Sequence, residues 1–292
     1  MQLLSSSLKE GVRHGNPSLP IVVYYPTLDT QCTQLAAHWH EEMEISLVQK
    51  GEGIYSIDAV KYHVKQGDIL IIPPRSLHSG HSISGHDSQN TTVLFNTSVL
   101  ASSSKDICNS QYILPLQECQ LPITNHILAD TEEAAGISEI IQRISDNMVK
   151  QDKAFSLKVK SLLFELLYKI ILVSPKEKIT LTTNIAIEKI KLALEYIQAN
   201  YMKKIYIKDL ALLTSYSESY FSKIFKQATQ CSCIDYINQY RIIMAQNQLL
   251  ETTKPITEIA LDVGFENISY FCKEFLHMNH MTARQYRDLY KN

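Results

Sequence analysis

Between residues 35 and 96 apolar and polar positions alternate in short runs, over 43–49, 53–57, 61–64, 69–72 and 92–95. The runs are separated by Lys50-Gly51, Asp58, Gln66-Gly67-Asp68 and Pro73-Pro74. Period-two runs of this length between turn residues predict an antiparallel barrel or sandwich. A strand is also expected at 21–25, within an otherwise irregular stretch 1–30, and another at 112–116, beyond a loop at 97–104. After Asp130 the period changes. Ile137, Ile140, Ile141, Ile144 and Met148 mark a helix over about 131–150, and Leu157, Leu162, Phe164, Leu166, Leu167 and Ile170 a second over about 154–173. Residues 174–184 read as a polar linker. From Ile185 onward the pattern is helical throughout, with helices expected at 185–200, 232–250 and 282–290 around two helix-turn-helix units.

Those two units are copies of one pattern. Ile207, Asp209, Leu210 and Ala211 match Ile256, Glu258, Ile259 and Ala260 at an offset of 49. Ser219, Tyr220, Phe221, Lys223 and Phe225 match Ser269, Tyr270, Phe271, Lys273 and Phe275 at an offset of 50, so the extra residue falls in the turn. Two copies are too few for a solenoid. They read instead as two small helical units, at about 207–228 and 256–278, joined by a helix. Pro255 suits a first helical turn, Gly264 a turn with positive φ, and Asn267 a helix cap.

Composition narrows the class without deciding it. The 292 residues allow two domains, and 45% hydrophobic with 20% charged content is that of an ordinary globular protein. No apolar run reads as a signal peptide or a membrane span, and the six cysteines lack CxxC spacing, so a cytoplasmic protein with reduced thiols is expected. Residues 185–292 hold 13 basic and 11 acidic side chains, a balance of +2, against 15 and 19, a balance of −4, in 1–184. That charge permits contact with a phosphate backbone without demanding it.

A helix-turn-helix lays its second helix in the major groove, with fixed apolar residues inside and short polar or basic ones outside. In the first copy Tyr220, Phe221, Ile224 and Phe225 are expected inside, and Glu218, Ser219, Ser222, Lys223 and Lys226 outside. In the second, Tyr270, Phe271 and Phe275 are expected inside, and Glu266, Asn267, Ile268, Ser269, Cys272 and Lys273 outside. Asn, Lys, Glu and Ile each have a base edge they suit. A connecting helix of about 19 residues spans ~28 Å, compatible with entry into successive major-groove segments. A helical bundle whose repeats only pack is the alternative from pattern alone.

The motifs Ala193-x-x-Tyr-Ile197, Ile207-x-x-Leu-Ala211, Ser217-x-x-Tyr-Phe-Ser222-x-x-Phe-Lys226, Tyr236-Ile-x-x-x-Arg241, Ile256-x-x-Ile-Ala260-x-x-x-Gly-Phe265, Ser269-Tyr-Phe271 and Tyr286-Arg287 resemble the AraC/XylS-type DNA-binding domain. The resemblance covers about a third of the chain. It departs where the family usually has Gly, at Gln230 and His280, and where it usually has Pro, at Ala283. Local strain or a shifted helix start is expected there.

In the first half, His38-x-His40-x-x-x-Glu44, Gly51, Gly67-Asp68-Ile-Leu-Ile-Ile-Pro73 and His78 resemble the two short motifs of the cupin family, with Arg75 where Gly is usual and Ser82 where Asn is usual. On one strand His38, His40 and Glu44 would share a face. With His78 they offer either a polar ligand site, joined by Tyr55, or a set of metal ligands. His81 and His86 read as solvated.

The expected architecture is α+β and multidomain: a cupin-like effector-sensing barrel at 1–130, a helical dimerisation segment and linker at 131–184, and a DNA-binding domain at 185–292. The resemblance implies a transcription regulator, an activator in preference to a repressor, that is not an enzyme and needs no cofactor. Its expected partners are an operator in double-stranded DNA, RNA polymerase, a small-molecule effector such as a sugar-like compound, and a second copy in a homodimer. No membrane is involved. The alternatives are a ligand-independent dimeric regulator and a cupin-type metalloenzyme with an appended DNA-binding module.

Overall fold

The computed structural model describes residues 18–28, 34–83, 87–103, 105–176 and 181–290; Cys32 and His86 lie outside them. The chain divides into two compact units, with the boundary along the sequence between Leu181 and Thr182.

The first unit holds strands β1 (Ile21–Tyr24), β2 (Thr27–Leu28), β3 (Gln34–His38), β4 (Met43–Lys50), β5 (Glu52–Ile57), β6 (Val60–Lys65), β7 (Ile69–Ile72), β8 (His78–Ser82) and β9 (Ser88–Phe95). The short helix α1 (Leu114–Gln117), strand β10 (His126–Ile127) and helices α2 (Glu132–Lys150) and α3 (Phe155–Val173) follow. The strands form two antiparallel sheets. One has the order β1-β9-β4-β7-β10, with β2 also on β9; the other has the order β3-β8-β5-β6.

Period-two alternation along β4 gives its sheet two different faces. Met43, Ile45 and Leu47 join Ile69, Ile71, Val93 and Phe95 in a core shared with Ile137, Ile140, Ile141 and Ile144 of α2 and Leu162, Leu163, Leu166 and Ile170 of α3. Each such aliphatic side chain contributes ~1.5–3 kcal/mol of burial, so the sheet and the helix pair hold one another. Val48, on the opposite face, packs with Tyr55, Ile57, Val64, Leu70 and Ile72 between the two sheets. Glu44 and Ser46 share that inner face. Thr131 caps α2 by accepting the Ala134 N–H.

The second unit is helical: α4 (Leu181–Asn200), α5 (Ile207–Leu213), α6 (Glu218–Thr229), α7 (Cys233–Glu251), α8 (Ile256–Asp262), α9 (Ile268–Asn279) and α10 (Ala283–Tyr290). The repeat is structural down to its ring geometry. Phe221 and Phe225 sit 5.5 Å apart at 49°, Phe271 and Phe275 5.6 Å apart at 51°. Phe225 meets Tyr236 at 5.6 Å and 78°, and Phe275 meets Tyr286 at 5.6 Å and 82°. Ser215 (φ 58) and Gly264 (φ 92) turn the chain inside the two units. At Gly264 an added Cβ would lie 2.5 Å from the Tyr201 carbonyl oxygen, so only glycine fits that turn.

Four expectations need correction. Residues 109–117 are helical, not a strand at 112–116; Pro115 sits in the first turn of α1, where its missing N–H costs nothing. The segment 97–100 is a 3₁₀ turn capped by Asn96, where a loop was expected. The stretch read as a linker to 184 is already helix from Leu181, while residues 177–180 lie outside the described residues. Strands β3, β8 and β10 have no counterpart in the sequence pattern, since their runs QLAAH, HSGHS and HI lack a clear alternation.

Candidate functional site

The helix-turn-helix units present one outer face each. Ser217 caps α6 by accepting the Tyr220 N–H, and Asn267 caps α9 by accepting the Tyr270 N–H. Behind them Phe221 and Phe225, and Phe271 and Phe275, are fully buried. Opposite lie Ser219, Ser222, Lys223 and Lys226 on α6, and Ser269, Cys272 and Lys273 on α9, all exposed. Glu218 and Ile268 are exposed in the first turns, Glu266 and Asn267 just before α9. Every residue expected outside is therefore outside. Glu266 also pairs with Lys204 at 3.7 Å.

The inner face differs from expectation. Tyr220 and Tyr270 are 47% and 42% exposed. Tyr220 stacks edge-on against Tyr216 at 4.8 Å, and the Tyr270 hydroxyl accepts a hydrogen bond from Asn238 of α7 at 2.9 Å. Phe221 and Phe271 take the core position of each helix, and Tyr220 and Tyr270, about 100° round from them, fall at its edge. Arg241 donates to the Tyr201 and Lys203 carbonyls, and Arg287 to the Leu249 and Lys254 carbonyls, so these two arginines fix helix junctions.

The second site lies between the two sheets. His38 on β3 is the register partner of His78 on β8, with ring centroids 4.1 Å apart. His40 lies in the connection after β3, 5.0 Å from the His78 ring. The ligand-capable atoms of His38, His40 and His78 all fall within 4.8 Å of one another. Glu44 reaches them from the other sheet: its Oε2 is 3.3 Å from His40 Nε2 and 3.6 Å from His78 Nε2. The four groups thus converge, but from two sheets and a connection rather than from one face of one strand. The chain turns at residues 41–42, which sends Glu44 across the barrel.

Each imidazole is oriented by its own backbone. Nδ1 of His38 meets the Ala36 carbonyl at 2.8 Å, Nδ1 of His40 the Glu42 carbonyl at 3.0 Å, and Nδ1 of His78 the Ser76 carbonyl at 2.9 Å. A carbonyl only accepts, so Nδ1 carries a proton in all three rings, and His40 Nε2, once protonated, donates to Glu44 Oε2. The Arg75 N–H holds the His40 carbonyl at 2.7 Å. Burial, then His78 and His40, push the His38 imidazolium well below its usual value. Burial alone would raise the Glu44 carboxyl, but its contacts with His40 and His78 bring it well below the usual carboxylate range.

A polar row missing from the sequence reading supports Glu44. Ser46 Oγ donates to Glu44 Oε1 at 3.0 Å, so the 2.6 Å contact between Ser46 and Thr92 has Thr92 as donor. The signal was the i, i+2 spacing of Glu44 and Ser46 on an alternating strand. Tyr55 shares the space between the two sheets. It is buried, its ring lies over Gly80, and its hydroxyl accepts from Asn90 at 2.8 Å. Burial is the main reason its hydroxyl is pushed up to about 12. His81 is partly exposed.

Family models match both units of the chain. A family model described as an AraC-like ligand binding domain matches residues 21–167, half of the chain, and one described as a helix-turn-helix domain matches residues 210–288. The chain is 24% identical over 290 residues to YdeC of Bacillus subtilis (strain 168), an uncharacterised HTH-type transcriptional regulator, covering 98% of each chain. It is 25% identical over 244 residues to the lactose operon transcription activator of Staphylococcus xylosus, covering 83% of this chain and 82% of that one. ToxT from Vibrio cholerae aligns at 14% identity and a TM-score of 0.46, covering 93% of this chain and 99% of that one. No helix among the described residues is long and apolar enough to cross a membrane. The chain belongs to the AraC-type family of DNA-binding transcription regulators, with an AraC-like ligand-binding domain followed by a helix-turn-helix domain.

Proposed function

We propose that the chain is a cytoplasmic transcription activator whose barrel binds a small molecule and so sets which arrangement of its DNA-binding units is populated. The observation that carries this reading is the paired outer faces of α6 and α9, which repeat Ser and Lys at an offset of 50 (Ser219 and Lys223, Ser269 and Lys273) while their Phe pairs are buried. Two such helices held by the 19-residue α7 suit two successive major-groove segments. We assign base and phosphate contacts to Glu218, Ser219, Ser222, Lys223, Lys226, Glu266, Asn267, Ile268, Ser269, Cys272 and Lys273. We assign the ligand to the space around His38, His40, Glu44 and His78, with Tyr55 lining it. Activation through RNA polymerase is the reading favoured by the Staphylococcus xylosus relative, which is named as an activator.

The exposed side of α3 favours a homodimer. Leu157, Phe164, Tyr168 and Leu172 are 72%, 42%, 61% and 65% exposed at a spacing that puts them on one stripe. If that stripe is the barrel unit's whole contribution, the regulator is dimeric and ligand-independent. Selection of bound genomic DNA, followed by a reporter driven by the selected promoter, tests the proposal. Specific sites and a reporter that rises when the gene is expressed are expected. Uniform, sequence-independent binding would sink the regulator reading, and a reporter that falls would sink activation.

A further inference from the structure

The two helix-turn-helix copies share their aromatic core but not their charge. Residues 203–230 hold five basic and two acidic side chains, a balance of +3, and the matching stretch 252–280 holds two and four, a balance of −2. Much of the difference lies at the entry to each copy. At the offset of 49, Lys203, Lys204, Tyr206 and Lys208 stand where the second copy has Thr252, Thr253, Pro255 and Thr257. The lysine at the second entry, Lys254, is held 2.6 Å from Asp262 and 3.6 Å from Glu258. Lys203, Lys204 and Lys208 are all exposed. The ammonium groups of Lys204 and Lys208 gather on one ring, 5.8 Å and 5.3 Å from the centroid of Tyr206, which is 48% exposed. Two like charges drawn to one ring repel each other, and an anion placed between them relieves that repulsion.

The segment that carries these lysines is fixed against the second copy. Residues 201–206 lead from α4 into α5, and Arg241 of α7 donates to the Tyr201 and Lys203 carbonyls at 2.9 Å each. The Tyr201 carbonyl oxygen also lies close over Gly264, and the Arg241 guanidinium lies 5.7 Å from the Phe265 ring. Lys204 reaches Glu266 at 3.7 Å, so its ammonium stands beside the exposed lead-in to α9. An ion pair between two exposed side chains is weak and yields to a better partner. We propose that Lys203, Lys204 and Lys208, with Tyr206, form a cationic strap for the DNA phosphates bordering the minor groove between the segments entered by α6 and α9, which rests on the reading of those helices as the DNA-contacting pair. Two helices that enter successive major-groove segments from one side leave a minor groove between them. The strap runs from the entry of the first copy to the turn of the second, where that groove passes. Lysine suits the task, because a point charge on a flexible stem meets phosphate without reading a base. The second copy, with its negative balance, is then kept on DNA by the junction at Arg241 and Gly264 and by the strap, not by its own charge.

The test uses full-length protein, with anisotropy titrations against a selected genomic site and a random duplex across a salt series. The triple variant Lys203→Gln, Lys204→Gln, Lys208→Gln changes only exposed side chains, and circular dichroism establishes that it folds. It should lower the salt slope by about 2–3 units and weaken binding to both duplexes by ~10-fold or more, with the ratio between them kept. The matching triple lysine-to-arginine variant should retain the slope. Phosphate ethylation of the selected site should interfere with wild type at phosphates between the two base-contact tracts, and the glutamine variant should lose that interference. A folded glutamine variant with an unchanged slope would overturn the proposal, and so would interference confined to phosphates outside the two tracts. Failure of the regulator reading has a different signature. Wild type that binds both duplexes alike, with a slope that falls in the glutamine variant, would uphold the phosphate contacts while sinking sequence-specific regulation.

Discussion

Asn267 accepts the backbone N–H of Tyr270 on its side-chain oxygen at 2.9 Å, as Ser217 accepts that of Tyr220 at 3.3 Å. Both second helices of the repeat are thus closed by a side-chain cap at the same position. The contact commits the Asn267 oxygen, which a bidentate bond to adenine would also require. Asn267→Ala should lower stability by ~1 kcal/mol in urea denaturation with an unchanged m-value, and Asn267→Ser should restore most of it. A full-strength Ala variant would mean that the first turn of α9 is held by other contacts.

Three positions where the resembling families usually place glycine have left-handed backbones here: Arg75 at φ 62, Gln230 at φ 65 and His280 at φ 53. Gln230 and His280 end α6 and α9, and the chain recovers at once into capped helices. Ser232 accepts the Asp235 N–H ahead of α7, and Thr282 and Gln285 exchange bonds ahead of α10. The expected strain is therefore local, and the helices start where the caps set them. Gln230→Gly and His280→Gly should each stabilise the protein by ~1 kcal/mol, because the left-handed conformation penalises any side chain beyond glycine. Thermal denaturation of the two variants and their combination measures this. A loss of stability in either would show that the side chain contributes more than the conformation costs, for instance through the bond from Gln230 to the Gln227 carbonyl.

What could be read from the chain depended on how local the cause was. Strands β4 to β7 and helices α2, α3 and α7 follow from alternation or periodicity within one segment, and their bounds lie close to expectation. The repeat was legible because both copies carry the same buried aromatics. The pairing of His38 with His78 was not, since register between β3 and β8 is set by the whole sheet and not by either run. Placing His40 and Glu44 on the strand of His38 failed because the turn at 41–42 has no glycine or proline to announce it. Tyr220 and Tyr270 look like core residues from composition, but the 100° step from the neighbouring Phe carries them to the surface.

Asp68 gives the barrel a pH dependence. It is buried, accepts from the Lys65 and Ala129 N–H groups at 3.0 Å and 2.8 Å, and meets His126 Nε2 at 3.0 Å. Burial alone would raise its carboxyl, but these bonds bring it below the usual value of 3.8. The folded state therefore binds this proton less readily than the unfolded one. The resulting stability is full above about pH 4 and is lost as pH falls through the lower folded value. Asp68→Asn removes the charge, so its loss of stability relative to wild type should be largest near neutral pH and shrink below pH 4. A difference that stays constant down to acid denaturation would assign Asp68 a purely neutral hydrogen-bonding role.

Lys223 on α6 and Lys273 on α9 occupy the same position in the two units and are both exposed. Their neighbours differ: Ser222 stands before one and Cys272 before the other, and α9 opens with Ile268 where α6 opens with Glu218. An equal role in the two units would therefore be a coincidence of chemistry. A lysine that donates to guanine loses ~1–3 kcal/mol of specific binding on substitution by Ala and relaxes preference at one position of the site. One that only meets phosphate weakens binding to all sequences and lowers the salt slope by about one unit. Lys273→Ala should show the first pattern and Lys223→Ala the second, because α9 carries the more varied outer face. Anisotropy titrations of both variants against single-base variants of the selected site, across a salt series, separate these outcomes. The same pattern from both lysines would show that the two helices read the operator alike.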